Sequence, residues 1–166
     1  MTTYKLKNKP KRECPIREHD ENGNLIHYKN YVGLEYLECW FDYDNKGNLI
    51  HQKDSNGYEY WYDYDNKGNE IHYKNSEDYE YWCDYDNKGN LIHHKDSNGY
   101  EIWYDYDNKG NKIHYRNSNG YEYWYDYDNK GNLIHHKDSN GYEYWCDENG
   151  NEISEEQFNK IWEKLE

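Results

Sequence analysis

Gly47-Asn48-Leu49-Ile50-His51-Gln52-Lys53-Asp54-Ser55-Asn56-Gly57-Tyr58-Glu59-Tyr60-Trp61-Tyr62-Asp63-Tyr64-Asp65-Asn66-Lys67 is the stretch from which the fold is read. It contains two segments of alternating residue type and two turn signals. Asn56-Gly57 is the signature of a two-residue type I′ hairpin, in which both central residues need positive φ. Asp65-Asn66-Lys67-Gly68 fits a three-residue loop with Gly in the left-handed position, forming a bulge. In the next repeat Glu77-Asp78 stands in place of Asn-Gly, so a different, looser turn is expected there.

Outward from this stretch the pattern repeats. Gly-Asn followed by Ile-His recurs at Gly47, Gly68, Gly89, Gly110 and Gly131, 21 residues apart each time. A related unit begins at Gly23, 24 residues before Gly47, and Gly150 follows Gly131 after 19. Regular central units with irregular ends are usual in repeat proteins. The expected organisation is an N-terminal segment with a degenerate first strand over 1–22, a β-hairpin array over 23–149, and a capping helix within 150–166.

Taken from the two turns, the register pairs Ser55 with Tyr58, Lys53 with Tyr60 and His51 with Tyr62. On the other side it pairs Asp65 with Asn69, Asp63 with Ile71 and Tyr62 with His72. Both turns thus set His opposite a Tyr row, and a one-residue slip would put them in conflict. One face then carries Tyr58, Tyr60, Tyr62 and Tyr64 with Leu49, His51 and Lys53. The other carries Trp61 and Ile50 between Glu59 and Asp63. Trp61, Trp82, Trp103, Trp124 and Trp145 form a row. Trp40 joins it if the insertion in its unit is taken up in the second strand. The fold class is all-β: one long, twisted, antiparallel meander of about 13 strands. At its end Ser154-Glu155-Glu156-Gln157 is a capping-box pattern, with Ile153 and Phe158 as a staple. Phe158, Ile161, Trp162 and Leu165 follow at helical spacing, predicting a helix from Glu155 to Leu165 over the last sheet edge.

Composition agrees. Of 166 residues, 34% are hydrophobic, and that share includes 23 Tyr and 7 Trp but only two Phe and one Met. An aliphatic core is excluded, and an ordered, thin structure built from aromatic rings is expected instead. The net charge of −14, from 34 acidic and 20 basic residues, disfavours direct binding to nucleic acid or anionic membranes and favours a basic partner. Cys14, Cys39, Cys83 and Cys146 form no C-x-x-C pair. Cys83 and Cys146 fall three repeats apart, about 28 Å at ~4.7 Å per strand, too far to bridge. Reduced, buried thiols are expected. Met1 to Arg12 is polar and basic, without a signal peptide or membrane span, so the expected compartment is the cytoplasm.

Tyr62-Asp63-Tyr64-Asp65-Asn66-Lys67-Gly68-Asn69 resembles the tyrosine–aspartate (YD, or RHS) repeat, Y-x-Y-D-x-x-G-x-L with a period of 20 to 22. The resemblance runs from about Asp42 to Asn149. The ninth position is Leu91 or Leu133 in some units but Glu70 and Lys112 in others. Members of that family form spiralling sheets that encapsulate toxins, and this chain is too short for that. A looser similarity, in period and aromatic content, links it to MORN-like antitoxin repeat proteins.

His27, His51, His72, His93, His114 and His135 recur once per repeat. Rows about 9.5 Å apart cannot converge on a metal whose ligands lie ~2 Å from it. His93-His94 and His135-His136 point to opposite faces. Asp63-Tyr64-Asp65-Asn66-Lys67-Gly68 departs from a calcium loop, with Lys67 at a ligand position and Lys74 where the bidentate Glu belongs. Glu59 and Asp63 resemble a hydrolytic pair, yet the arrangement recurs unchanged and no repeat is singled out. No catalytic residue, metal or cofactor is expected.

The face repeating Glu, Trp and Asp is instead a candidate partner surface: Glu59, Trp61, Asp63; Glu80, Trp82, Asp84; Glu101, Trp103, Asp105; Glu122, Trp124, Asp126. Trp residues serve as anchors and carboxylates steer a basic partner. The expected function is a non-enzymatic inhibitor, antitoxin or immunity protein that blocks a basic, nucleic-acid-handling effector such as a toxin nuclease or a CRISPR nuclease. The alternative is a carbohydrate- or cell-wall-binding aromatic repeat module. Pairing of two sheets into a homodimer is compatible with either.

Overall fold

The computed structural model describes residues 15–32 and 35–162, with the backbone alone at 31, 32 and 35. Aromatic-rich segments between glycine-bearing turns form strands β1 (Ile16–His19), β2 (Leu25–Val32), β3 (Glu35–Tyr43), β4 (Leu49–Asp54), β5 (Glu59–Tyr64), β6 (Glu70–Asn75) and β7 (Glu80–Tyr85). They continue as β8 (Leu91–Asp96), β9 (Glu101–Tyr106), β10 (Lys112–Asn117), β11 (Glu122–Tyr127), β12 (Leu133–Asp138), β13 (Glu143–Cys146) and β14 (Glu152–Ile153). All 14 lie in one antiparallel sheet in chain order, and one helix, α1 (Glu155–Ile161), follows. The meander and its helical end are as the repeat implies. The described residues of Met1–Asp63 with Tyr73–Asp78 form one compact unit, and those of Tyr64–His72 with Tyr79–Glu166 form a second.

Both kinds of turn close alike, which corrects the expected register. At Asp54-Ser55-Asn56-Gly57 the Gly57 amide donates to the Asp54 carbonyl at 3.1 Å, and the Asp54 amide donates to the Tyr58 carbonyl at 2.9 Å. Gly57 alone takes a positive φ, of 91°, and Asn56 does not. This is a type I turn followed by a left-handed glycine, a three-residue loop rather than a type I′ pair. The Asp54 carboxylate secures it by accepting the Asn56 and Tyr58 amides at 2.8 and 3.0 Å. The turn at Asp65 has the same bonds, as expected. The turn at Glu77-Asp78 also keeps this geometry, with Asp78 itself at φ 63° and its amide donating to the Asn75 carbonyl at 3.3 Å. It is therefore not a different turn; a residue with a Cβ occupies the glycine position.

The three-residue loop shifts the pairing by one. His51 lies opposite Trp61, Gln52 opposite Tyr60 and Lys53 opposite Glu59. On the far side of β4, His51 lies opposite Asp42 and Leu49 opposite Tyr43, with a bulge between. In the second unit β8 repeats this, with His93 opposite Trp103 and Asp84 and a bulge between Asp84 and Tyr85. His51 and Lys53 therefore share a face with Trp61, not with the tyrosines. The insertion near Gly33 lengthens β2 and β3 and leaves Trp40 opposite His27, so Trp40 holds its repeat position.

The tyrosine face supplies such interior as a single sheet has. In the first unit Tyr73 packs on Tyr60 and Tyr62, with ring centroids 6.3 and 5.4 Å apart. In the second, Tyr115 packs on Tyr104 and Tyr123 at 5.6 and 5.3 Å. His136 lies 5.1 Å from both Tyr125 and Tyr144. Cross-strand contacts of this kind contribute about 0.2–1 kcal/mol each. The Tyr85 hydroxyl donates to the Glu70 carbonyl at 2.9 Å, and burial pushes its pKa up to about 12. Cys39, Cys83 and Cys146 are free thiols, pushed up by burial; Cys14 lies outside the described residues.

Helix α1 starts at the Ser154 cap, whose hydroxyl accepts the Gln157 amide while the Gln157 side chain accepts the Ser154 amide. It ends at Trp162, short of the expected Leu165, which lies outside the described residues. The Trp162 indole N–H donates to the Cys146 carbonyl at 3.0 Å, and Phe158 lies 6.3 Å from His135. The helix thus docks against β13 near the end of the sheet.

Candidate interaction face

On the tryptophan face, each His meets a Trp from the following strand. In the first unit His27 stacks on Trp40 and His51 on Trp61, at 5.7 and 5.4 Å. In the second unit the pairs are His72–Trp82 and His93–Trp103 at 5.3 Å, His114–Trp124 at 5.4 Å and His135–Trp145 at 5.5 Å. Their interplanar angles range from 11° to 21°, so the rings are nearly parallel.

The imidazoles are also clamped between carboxylates. His93 Nδ1 lies 3.1 Å from Asp84 and its Nε2 3.1 Å from Glu101. His51 stands in the same way between Asp42 at 3.0 Å and Glu59 at 3.2 Å, and His135 between Asp126 at 2.8 Å and Glu143 at 2.9 Å. Each of these rings therefore has a carboxylate at both of its nitrogens. The two kinds of carboxylate differ in freedom. Asp42, Asp84, Asp105 and Asp126 keep about 70% of their side-chain surface exposed, whereas Glu38, Glu59, Glu101 and Glu143 keep 17–30%. Lys53 holds the second Glu59 oxygen at 2.7 Å, and Lys95 that of Glu101 at 3.2 Å. Hydrogen bonds from Lys53 and His51 hold Glu59 below the usual carboxylate range, and His93 and Lys95 do the same for Glu101.

The structure therefore places Trp61 and Glu59 in the first unit's face, and Glu80, Trp82, Asp84, Glu101, Trp103, Asp105, Glu122, Trp124 and Asp126 in the second's, tied together through His. Asp63 is exposed at the matching strand position. The glutamates are mostly covered within the chain, whereas Asp84, Asp105 and Asp126 each touch a His and still keep about 70% of the side chain exposed. Trp103 is covered from both neighbouring strands, by His93 and by Arg116, whose Cζ sits 4.3 Å from the ring centroid. The histidines and Arg116 were absent from the expected face. The overlooked signal was the shared Asp-x-x-Gly of both turns, which prescribes one loop type for both.

Along one edge of the second unit, neighbouring loops bind each other. Asp65 accepts the Lys67 and Asn69 amides and the Asn69 side chain at 2.7–2.9 Å. Lys67 Nζ donates to the Asn87 carbonyl and Lys109 Nζ to that of Asn129, at 2.6 and 2.8 Å. Among the described residues no three His, Cys, Asp or Glu side chains converge as metal ligands.

No family model matches the chain, and no curated protein matches it. Solved structures do. The crystal structure of TcdB2–TccC3–TEV superposes with a TM-score of 0.65 at 16% identity, over 78% of this chain and 8% of that one. That of TcdB2–TccC3–Cdc42 gives 0.66 at 17%, over 82% and 9%. The likeness is one of fold. This chain spans under a tenth of the length of either match.

Proposed function

We propose that this protein is a non-enzymatic acidic binding protein that inhibits a basic, nucleic-acid-handling effector in the manner of an antitoxin or immunity protein, with toxin and CRISPR nucleases as the target class. The observation that carries the reading is the repeated set of exposed aspartates beside tryptophans, as at Asp84, Asp105 and Asp126. A net charge of −14 favours attraction to a phosphate-binding channel. The fold shared with a multi-protein toxin complex supports a protein-binding, scaffold-like role. Free thiols at Cys39, Cys83 and Cys146 suit the cytoplasm. The glycan-binding alternative needs open ring faces for stacking: Trp103 has His93 on one side and Arg116 on the other, whereas Trp61, Trp82 and Trp124 stack on a His and stay exposed.

The test is retention of basic nucleases from a cell extract on the immobilised chain, followed by assay of their activity with and without added chain. Retained proteins should elute steeply between about 0.1 and 1 M salt, where screening collapses exposed charge attraction, and lose activity when the chain is added. Retention unmoved by 1 M salt, or nucleases unaffected by the chain, would overturn the reading.

A further inference from the structure

The repeats are nearly identical on the tryptophan face, and one of them breaks the pattern. In four repeats a lysine of the same chain sits on the glutamate of the next strand. Lys29 meets Glu38 at 3.1 Å, Lys53 meets Glu59 at 2.7 Å, Lys95 meets Glu101 at 3.2 Å and Lys137 meets Glu143 at 3.8 Å. In β10 the equivalent residue is Arg116. A planar guanidinium stacks on an indole better than an ammonium does, and Arg116 lies over Trp103 instead of reaching forward.

Glu122 is left without its cation. Among the described residues it forms no ion pair with Arg116, and the closest nitrogen is His114 Nε2 at 3.6 Å, too far for a hydrogen bond. That nitrogen is buried and has no hydrogen-bond partner. The Glu122 side chain is 40% exposed, more than any of the four lysine-bound glutamates. A surface depression of about 540 Å³ opens here, lined by Ile92, Trp103, Asp105, His114, Arg116 and Glu122. Asp105 adds a second carboxylate, 70% exposed.

From this juxtaposition we infer that Glu122, with Asp105, receives a lysine or arginine side chain of the basic partner. The incoming cation takes the seat that the chain's own lysine fills in the other repeats. Those four lysine–glutamate pairs show what the seat accepts, and Arg116 keeps it open by lying on Trp103. The inference rests on the reading of a basic partner and adds a location to it.

The experiment uses the full chain and a fluorescein-labelled oligolysine peptide, followed by anisotropy at low salt. R116K leaves the net charge unchanged but restores the intramolecular lysine, and should weaken binding about tenfold. E122Q should weaken it comparably. E148Q, which removes one charge from the exposed turn before β14, should change it less than twofold. Carbodiimide coupling of the peptide to the unmodified chain, mapped by mass spectrometry, should join it to Glu122 or Asp105. If the unmodified chain does not bind the peptide, this inference and the underlying reading fall together. If it binds but R116K and E122Q bind equally well, or coupling maps elsewhere, the seat is refuted while the general acidic surface stands.

Discussion

The two faces of the second unit are made by alternate residues of the same strands, yet they are held in different ways. On the tryptophan face, Trp103 stacks on His93, which is clamped by Asp84 and Glu101, and every group keeps contact with water. On the tyrosine face, Tyr104 packs on Tyr106 and Tyr115, and burial pushes its hydroxyl pKa up. One face is cross-linked by charge and the other joined by area removed from water. Within the second unit both faces contribute to holding the strands together.

The comparison breaks most visibly with pH. Glu59, Glu101 and the turn residues Asp65, Asp86 and Asp107 all lie below the usual carboxylate range, held there by hydrogen bonds from Lys53, His93 and the turn asparagines respectively. Groups depressed in the folded state stabilise it above their unfolded pKa, about 4, and that contribution is lost as pH falls through the folded value. Tyr85 is shifted the other way, to about 12. Its contribution is complete below the unfolded value, about 10, and disappears as pH rises through 12. Urea midpoints measured across pH should therefore fall on an acid limb belonging to the tryptophan face and the turns, and on an alkaline limb belonging to the tyrosine face. Tyr85→Phe should reduce the alkaline limb and leave the acid limb unchanged; a change in both would show that the faces are not independent.

Next in size are truncations of neighbours on one strand. Tyr104→Ala should cost about 3 kcal/mol, near the range for buried aromatic truncation. Trp103→Ala should cost about 1.5 kcal/mol despite the larger ring, because its faces rest on the polar groups of His93 and Arg116 rather than on other aromatic rings. Chemical denaturation decides between them, and a greater loss at Trp103 would make the tryptophan face the true core. The smallest effect is at the turns. Asp78 holds φ 63° where Gly57 and Gly99 hold 91° and 84°. Asp78→Gly should raise stability by about 1 kcal/mol through relief of the left-handed conformation, read as a higher melting temperature with unchanged tyrosine fluorescence.

Much of this architecture is legible in the chain. The Gly47-to-Gly131 period, the turn at Asp65-Asn66-Lys67-Gly68 and the Ser154–Gln157 cap each follow from local chemistry, and each is present. The face occupied by His was not legible by counting alternation from Asn56-Gly57. One extra loop residue and one bulge, each invisible to a two-residue period, carry His51 across the sheet to Trp61. The candidate surface was legible as a composition of Glu, Trp and Asp but not as a division of labour. Whether a carboxylate is free or bound depends on which cation lies across the strand.

The sequence by itself determined the repeat, the antiparallel meander and the helix at its end, because turns, caps and alternation are set by neighbours within a few residues. Only the tertiary structure decided which side chains meet between strands: His on Trp, Lys on Glu, and Arg116 on Trp103 in place of Glu122. Those meetings join residues of adjacent strands, six or more apart in the chain, and one extra loop residue or one bulge is enough to change them.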